Sequence, residues 1–426
     1  MKKLLLLLTI ILLPCSLYSQ LIGLGTFDDP YSGGNLRSSM TWSSPKVYIS
    51  GVINIDGFGG RRGILTINPG VTVVFTTELA GITVAGYGVI NADGTLFTAD
   101  SDNDGIYGES GEVHRNLILE SISPCTFSNC IFEYGSSPMG GAVKQVNHSH
   151  LFNSCIFRNN TATSMGGAYY IENLAATSFT DCQFYNNIAP EGGAVYTGFY
   201  SGPEFNNCSF YSNTASGGLG GGAIFIDENS APFIVNSLIY GNTASGTSGG
   251  GGIYIGSTDQ ESLGDAVIQN SVISNNSAAG QGNDIYVAGP YAFQISNTVA
   301  WGSVNSVYYN TILIPVNFVN SAIQRVYNSS GDINIGSFTE CFTLNSINDA
   351  ADGPNFTDPA GSDYSITFES PLMDKGTFSV EPPPPATDFE GNPRVGLPDI
   401  GAYEVQYSRW STSAATTLWT DAGNWE

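Results

Sequence analysis

Two short phrases alternate along the middle of this chain, and they limit its fold more than any other feature. The first phrase is Gly-Gly-Ala, which begins at Gly140, Gly166, Gly192 and Gly221. The second is Phe-x-x-Cys-x-Phe or a close variant, and its copies begin at Phe127, Phe152, Phe179, Phe205, Ile234, Ile268 and Ile295. Successive copies lie 25, 27, 26, 29, 34 and 27 residues apart. A period of this size is typical of a solenoid, in which each repeat forms one coil that stacks on its neighbours.

The composition of the repeats decides between the types of solenoid. β-Branched and aromatic residues occur in short runs separated by clusters of Gly, Asn and Ser, and no window has a helical period. Leucine-rich repeats have a similar period, but their recurring Leu-x-x-Leu-x-Leu phrase is absent from the sequence. We therefore predict an all-β fold, namely a right-handed, single-stranded parallel β-helix.

The repeats also predict which residues fill the core, because alternate side chains of a strand face opposite sides. The Phe and Cys positions of the second phrase share one face and are predicted to point inward. The cysteines at Cys130, Cys155, Cys182 and Cys208 are replaced by Ser or Thr in later copies. A position that accepts Cys, Ser and Thr selects for small size, so we predict free, buried thiols.

An asparagine recurs three residues after the second apolar position of each phrase. The column consists of Asn160, Asn187, Asn213, Asn242 and Asn276. Stacked asparagine side chains can form hydrogen bonds from coil to coil, and asparagine also tolerates the left-handed backbone of a tight turn. We assign this column a structural role.

These residues carry a resemblance to a known family. The combination of Gly193-Ala194-Val195 with Phe184-Tyr-Asn-Asn187 resembles the repeat of the polymorphic outer membrane proteins and similar pectin-lyase-like β-helix proteins. The resemblance covers roughly residues 127–300. It implies a β-helix that is exported to the cell surface, and a role in adhesion more than in catalysis.

The start of the chain predicts export. Two lysines and an apolar run from Leu4 to Leu13 indicate a signal peptide over residues 1–19. Residues 20–64 are predicted to form an N-terminal cap and the first strands, and residues 65–350 the parallel β-helix, with clear repeats over 127–300. The mature protein is expected to be secreted or held at the outer surface, with peripheral association with the outer membrane as an option.

The end of the chain carries a second resemblance. Gly391-Asn-Pro-Arg394 and Asp399-Ile-Gly-Ala-Tyr-Glu404 resemble the closing motif of bacterial surface β-helix proteins of the choice-of-anchor type. The resemblance implies a C-terminal coil and cap over residues 351–406, in which Arg394 pairs with Asp399 or Glu404. Residues 407–426, with three tryptophans, are predicted to be a tail or the start of a further surface module.

The charge of the chain excludes one class of partner. The formal net charge is -24, from 13 basic and 37 acidic residues. A protein with this charge repels the phosphate backbone, so nucleic acid is excluded. The partners predicted from the aromatic residues below are a glycan or a protein on a cell surface.

One acidic segment has the spacing of a calcium loop. Asp100, Asp102 and Asp104 alternate with other residues and are followed by Gly105. Carboxylates at alternate positions can surround a hard cation, and glycine permits the sharp turn. The twelfth position is Gly111 instead of glutamate, so an ordinary solvated acidic turn is the alternative to a calcium site.

Catalysis is weighed because this fold type can carry enzymes. A lyase needs a base and cations for an anionic polymer, and Lys144 and Arg158 are the only Lys or Arg side chains between residues 116 and 324. A glycoside hydrolase needs two carboxyl groups, and Glu172 and Asp227 occupy equivalent places two coils apart. Their positions also fit ordinary solvated turns, so enzymatic activity is kept as the alternative function.

The functional prediction depends on an outward-facing column of aromatic residues. It consists of Tyr170, Tyr196, Phe225, Tyr254 and Tyr286. Rings on an outer sheet can offer apolar faces to sugar rings or to protein partners, so a non-catalytic adhesion or glycan-binding module is the predicted function. The alternatives are that the rings lie under a loop such as Ile255 to Ala266, or that the strand register is shifted by one residue.

Overall fold

The protein is built almost entirely from short β-strands. The computed structural model describes residues 21–57, 61–109, 111–227, 229–256, 266–289, 293–302, 305–310, 317–332, 338–339, 341–343 and 353–406. Over these residues the strands are accompanied by a single 3₁₀-helix at Pro359–Gly361. The predicted all-β fold is confirmed. The predicted signal peptide and the predicted module after residue 406 lie outside the described residues.

Most strands stack in four parallel ladders, and the first two run almost the full length of the solenoid. The first ladder contains Ser39–Trp42, Ile64–Ile67, Val89–Asp93, Thr126–Ser128, Leu151–Asn153, Ser178–Thr180, Glu204–Asn206, Phe233–Val235, Ala266–Gln269, Phe293–Ser296, Asn317–Val319 and Phe338–Thr339. The second contains Lys46–Ile55, Thr72–Phe75, Leu96–Ala99, Ile131–Glu133, Ile156–Arg158, Gln183–Tyr185, Ser209–Tyr211, Leu238–Tyr240, Val272–Ser274, Val299–Trp301, Ala322–Ile323 and Phe342–Thr343.

The other two ladders complete each coil. The third is short and contains Ser136–Met139, Thr161–Met165, Ile188–Ala189, Thr214–Ala215, Thr243–Ala244 and Ser277–Ala278. The fourth contains Lys46–Ile55, Gly81–Gly86, Leu117–Ser121, Val143–Val146, Tyr169–Glu172, Val195–Thr197, Ile224–Ile226, Ile253–Ile255, Ile285–Val287, Val307–Tyr309 and Val326–Asn328. The predicted parallel β-helix is therefore confirmed.

A single long strand begins the solenoid. Lys46–Ile55 pairs with Thr72–Phe75 through its first half and with Gly81–Gly86 through its second half. It also pairs with Tyr31–Leu36, on which Leu21–Ile22 lies antiparallel. The antiparallel strand covers the hydrogen-bonding edge at which the parallel stack starts, and this is how a protein protects an edge strand. No helix within the described residues is long and apolar enough to cross a membrane.

The core consists of stacked columns, as predicted. The rings of Phe127, Phe152, Phe179 and Phe205 lie one above another, with successive centroids 4.7, 5.2 and 5.0 Å apart. The thiols of the cysteine column are buried and form no disulfide bonds with one another, which confirms the prediction of free cysteines. Where Ser237 replaces cysteine, its Oγ accepts a hydrogen bond of 3.1 Å from the backbone N–H of Cys208 in the preceding coil.

The asparagine column forms a continuous buried ladder. Each Nδ2 donates to Oδ1 of the asparagine in the next coil, over 3.0, 3.0, 3.0 and 2.9 Å from Asn160 to Asn276. The same Oδ1 atoms also accept from backbone N–H groups, so the amides satisfy polar groups inside the coil. The left-handed backbone of the turn falls on the preceding residue, for example Asn186 at φ 54°.

The second glycine of Gly-Gly-Ala lies where neighbouring coils approach closely. A Cβ atom at Gly193 would lie 2.2 Å from the carbonyl oxygen of Gly222 and 2.7 Å from the nitrogen of Thr214. At Gly141 and Gly167 the nearest atom of the next coil would be at 2.1 Å. The spacing of the coils therefore requires glycine at this position, which explains why the phrase is repeated.

The last described segment lies beside the solenoid instead of extending it. Within residues 353–406, which we call the C-terminal clasp, the strands Phe356–Asp358 and Asp363–Ile366 pair only with each other, antiparallel. Its apolar side chains pack on the outer face of the second ladder across four successive coils. The buried cluster consists of Leu238, Val272, Val299, Ala322, Tyr364, Ile366, Leu372, Ile400 and Ala402. The segment predicted as a terminal coil and cap over 351–406 thus adds no strand to the four ladders in its described part, and it covers outward apolar residues of the solenoid.

Side-chain amides fix the clasp along one corner of the solenoid. Each amide donates to a backbone carbonyl of the clasp. The pairs are Asn236 with Thr387 (2.8 Å), Gln269 with Pro382 (2.8 Å), Asn297 with Thr377 (2.9 Å) and Asn320 with Lys375 (2.9 Å). Hydrogen bonds of this kind specify the register at which the clasp lies on the coils.

The predicted ion pair of the closing motif is present inside the clasp. Arg394 Nη1 lies 3.1 Å from Glu404 Oε2, and the two side chains are 1% and 0% exposed. Arg394 Nη2 also donates to Oδ1 of Asn236 over 2.9 Å, which ties the pair to the solenoid. The prediction that Arg394 pairs with Asp399 or Glu404 is confirmed for Glu404, and its role is structural.

Candidate functional site

The aromatic column predicted to face outward does lie on the outer face of the fourth ladder. Its rings form a cluster separate from the core, and Tyr308 and Tyr327 of later coils extend it. Met139 and Met165, the last residues of the third-ladder strands Ser136–Met139 and Thr161–Met165, pack against the column. The strand register assumed from the sequence is therefore correct.

The column is not an exposed platform, however. Tyr170, Tyr196, Phe225, Tyr254 and Tyr286 are only 3–8% exposed. Successive rings are stacked with centroids 4.5–5.4 Å apart and interplanar angles of 7–14°. The expectation that their faces are free to dock on sugar rings is wrong, because rings of successive coils stack face to face and every side chain of the column is buried. The loop weighed as a cover, Ile255 to Ala266, lies mostly outside the described residues.

What the column presents outward is its polar edge, and carboxyl groups gather there. The Tyr196 hydroxyl donates to Oδ2 of Asp227 over 2.6 Å. Burial and the charges of Glu172 and Asp227 raise the pKa of the Tyr170 hydroxyl. Burial and the charge of Asp227 also raise the pKa of the Glu191 carboxyl. The two carboxylates predicted as a hydrolase pair are thus brought to one patch beside the tyrosine edges.

Exposed apolar side chains border this patch. Leu174, two residues after Glu172, is 69% exposed, and Phe199 is 44% exposed. The two turns are in contact, since the backbone N–H of Asn173 donates to the carbonyl oxygen of Phe199 over 3.2 Å. We call Glu172, Leu174, Phe199 and Asp227 the acid–aromatic rim.

The backbone of the rim is unusual. Leu174 has φ 60°, and Tyr200, whose ring meets that of Phe199 edge to face at 4.2 Å, has φ 55°. A bulky side chain in the left-handed region carries a backbone strain of roughly 1–3 kcal/mol, and such strain is concentrated at functional sites. The strained, exposed Leu174 therefore makes the rim a candidate functional site.

The two basic residues considered for a lyase are not brought together. Lys144 is in the fourth ladder, paired in register with Tyr170. Arg158 is in the second ladder, where its guanidinium contacts Glu133 at 2.6 Å and donates to the Tyr185 hydroxyl. The two side chains thus lie in different ladders, and Arg158 forms an ion pair with a carboxylate that is 2% exposed.

The acidic loop groups its carboxyl oxygens as a cation site requires. The oxygens of Asp100, Asp102 and Glu112 lie within 4.8 Å of one another, and so do those of Asp102, Asp104 and Glu109. The buried Asp100 carboxylate already accepts from the backbone N–H groups of the loop, which shapes the turn. The carboxyl groups of the three predicted aspartates therefore lie close together, and those of Glu109 and Glu112 lie beside them.

Calcium binding at this loop remains a prediction. We expect millimolar Ca²⁺ to raise the melting temperature of the protein and Asp102→Asn to abolish the rise, because Asp102 belongs to both groups of carboxylates. Differential scanning calorimetry with and without EDTA measures the effect, and Asp93→Asn is the control for loss of an exposed charge. An equal response to Ca²⁺ in the wild type and in Asp102→Asn would exclude this loop.

A comparison with sequence families agrees with this architecture. The model described as a right handed beta helix region matches residues 115–312, which contain all the clear repeats from Phe127 onward. The protein is a right-handed parallel β-helix. This match supports the predicted pectin-lyase-like type of β-helix. A search among curated proteins finds no match. Since one fold can host unrelated activities, the function of this β-helix has to be argued from its site.

Sequence reasoning located half of the rim. Glu172 and Asp227 were singled out by their equivalent places in the repeat. Leu174 and Phe199 were missed, because they lie in turns whose residues do not recur from coil to coil. The sequence did contain a signal for these two residues, because Leu174 and Phe199 are large apolar residues in turns, where exposed apolar side chains are unusual.

Proposed function

We propose that this β-helix is an exported surface protein that binds a glycan, without catalysis, at the acid–aromatic rim. One observation carries the proposal. Carboxylates, a phenol hydroxyl and exposed apolar side chains meet on one outer corner of otherwise regular coils. The predicted signal peptide, the resemblance to surface proteins and the long solenoid support a location outside the cell.

The chemistry of the rim suits a sugar. Carboxylate oxygens accept hydrogen bonds from sugar hydroxyls, and an exposed ring such as Phe199 can pack on the apolar C–H face of a pyranose. The rim keeps Asp227 oriented through its hydrogen bond from Tyr196, so the acceptor is held in place before a ligand arrives. Rigid placement reduces the entropy lost on binding.

The same residues support hydrolysis as the alternative. A glycosidase needs one carboxyl group that is protonated and one that is ionised. Glu172 and Asp227 are the two carboxyl groups of the rim, and beside them burial and the charge of Asp227 raise the pKa of the Glu191 carboxyl. Release of reducing ends from a bound glycan would assign the rim to an enzyme.

The binding proposal is tested with a glycan array followed by calorimetry on the strongest neutral oligosaccharide. We expect Phe199→Ala and Asp227→Asn each to weaken binding about tenfold or more, since each removes a main contact. Phe378→Ala is the matched control, because Phe378 is 46% exposed and lies in the clasp. Unchanged affinity in both rim variants would contradict the proposal.

A further inference from the structure

Acidic side chains meet the edge of the aromatic column from both ends of the fourth ladder. Glu172 and Asp227 lie where two of its strands end, whereas Glu191 precedes another of its strands. Burial, the hydrogen bond to Asp227 and the charges of Asp227 and Glu191 raise the pKa of the Tyr196 hydroxyl. All three acidic side chains are partly exposed, so a ligand can reach the carboxyl groups.

No basic group compensates for this charge in the part of the chain that the structure describes. None of its ion pairs includes one of the three carboxyl groups. The charges that shift the pKa values of Tyr170, Tyr196 and Glu191 are all those of acidic groups. Lys144 lies in register with Tyr170, one coil away, yet it contributes to none of these shifts. The patch therefore carries an uncompensated negative charge.

The turns of the rim also contain buried polar atoms that lack a partner. Asn229, two residues after Asp227, is 4% exposed, and its Oδ1 accepts no hydrogen bond from the described residues. Ser201, two residues after Phe199, is 1% exposed, and its Oγ is likewise unpartnered within the described part of the chain. The two turns touch, since Ser230 Oγ donates to the carbonyl oxygen of Ser201 over 3.0 Å. An amide oxygen can only accept, so the partner that Asn229 lacks is a donor.

Carboxylates and an unpartnered amide oxygen select for a ligand that donates hydrogen bonds and carries a positive charge. An ammonium group has three N–H donors and no acceptor. Its hydrogen bonds to carboxylates are charge-assisted, and they are about twice as strong as those between neutral groups. A sugar hydroxyl satisfies the same acceptors but leaves the negative charge of the patch uncompensated.

We propose that the glycan bound at the acid–aromatic rim carries a protonated amine, as an N-deacetylated amino sugar does, and that this amine binds among Glu172, Glu191 and Asp227. The inference rests on the proposed function, because it names the chemical class of the same ligand. The ammonium donates to the carboxylates, while the exposed ring of Phe199 packs on the sugar ring beside it. The rim then recognises the charge of its ligand as well as its shape.

A lysine side chain of a basic protein carries the same ammonium, so the remainder of the ligand has to distinguish the two. The patch has an apolar border, since Leu174 is 69% and Phe199 is 44% exposed. A pyranose offers a flat C–H face to such a border. Lysine offers a flexible four-carbon stem, which loses more conformational entropy when it is held. The border therefore favours the amino sugar.

The test compares two oligosaccharides that differ only at the amine. These are a glucosamine tetramer and the N-acetylglucosamine tetramer of the same linkage, titrated calorimetrically in slightly acidic buffer, in which the free amine is protonated. We expect the glucosamine tetramer to bind about tenfold more tightly or better. The preference should shrink severalfold between about 0.05 M and about 0.5 M NaCl, because salt screens partly exposed charges.

The outcomes separate this inference from the proposed function. Equal affinities for the two tetramers would overturn the inference, and the proposed function would still stand if Phe199→Ala weakened both. Absence of binding to any glycan would overturn both proposals. Tighter binding of tetralysine than of the glucosamine tetramer would also overturn the inference, because it would assign the rim to a basic protein.

Matched substitutions separate the rim from the net charge of the protein. Glu191→Gln and Asp93→Asn each remove one negative charge, and Asp93 is exposed at the end of a first-ladder strand. We expect Glu191→Gln to reduce the ratio of the two affinities about threefold or more, whereas Asp93→Asn should leave the ratio unchanged. An equal reduction in both variants would overturn the inference, because net charge would then cause the preference.

Discussion

Replacing Gly193 with alanine is expected to lower the free energy of unfolding by about 3 kcal/mol or more. The added methyl group would lie 2.2 Å from the Gly222 carbonyl oxygen and 2.7 Å from the Thr214 nitrogen, both of which are backbone atoms of the next coil. Backbone in a stacked ladder cannot rotate away as a side chain can, so the coils must separate locally. Urea denaturation followed by circular dichroism measures the loss.

The matched control is Gly218→Ala in the same stretch of the chain. A Cβ atom at Gly218 would have no neighbour within 4 Å, and its φ is outside the left-handed region. We expect a change within about 0.5 kcal/mol at this exposed position, or a small gain from the reduced freedom of the unfolded chain. Equal losses for the two variants would show that coil contact is not what selects glycine at Gly193.

The second large effect is expected at the buried ion pair of the clasp. Glu404→Ala should destabilise the protein by about 3–5 kcal/mol, because it leaves the Arg394 guanidinium buried without its counter-charge. It also removes the acceptor of the backbone N–H groups of Val395 and Asp399. Limited proteolysis should then cut within the clasp before it cuts the solenoid.

A partly exposed ion pair provides the comparison. Arg37 and Asp56 are also in contact, at 2.8 Å, but their side chains are 33% and 26% exposed. Asp56→Ala should cost no more than about 1 kcal/mol, since water solvates the remaining charge. If Glu404→Ala were as mild as Asp56→Ala, and the clasp stayed resistant to protease, the pair would not hold the clasp in place.

The repeats allowed much of the fold to be predicted because each repeated residue contacts the equivalent residue of the next coil. The phenylalanine, cysteine and asparagine columns each touch their own kind in the next coil, so recurrence in the sequence identifies the contact. Alternation along the strand likewise placed Tyr196 on the outer face. The alternation could not show that the rings are buried by stacking, because it predicts which way a side chain points and not how much of it water can reach.

Features outside the repeat were not predictable in the same way. The clasp joins Tyr364 to Leu238, which are far apart in the chain, and no periodicity marks such a contact. The rim depends on the turn conformation at Leu174 and Tyr200, where bulky residues adopt a left-handed backbone that their sequence does not favour. The features that the repeat did not reveal therefore lie where its regular pattern is interrupted.

The clasp has a consequence for how this molecule comes apart. A solenoid whose coils touch only their neighbours can lose them one at a time from an end. Here the apolar strip from Leu238 to Ala322 is covered by one continuous segment, which bonds to the corner amides of several coils. A force on the last coil must detach the whole segment first, so these four coils resist stretching as a single cooperative unit.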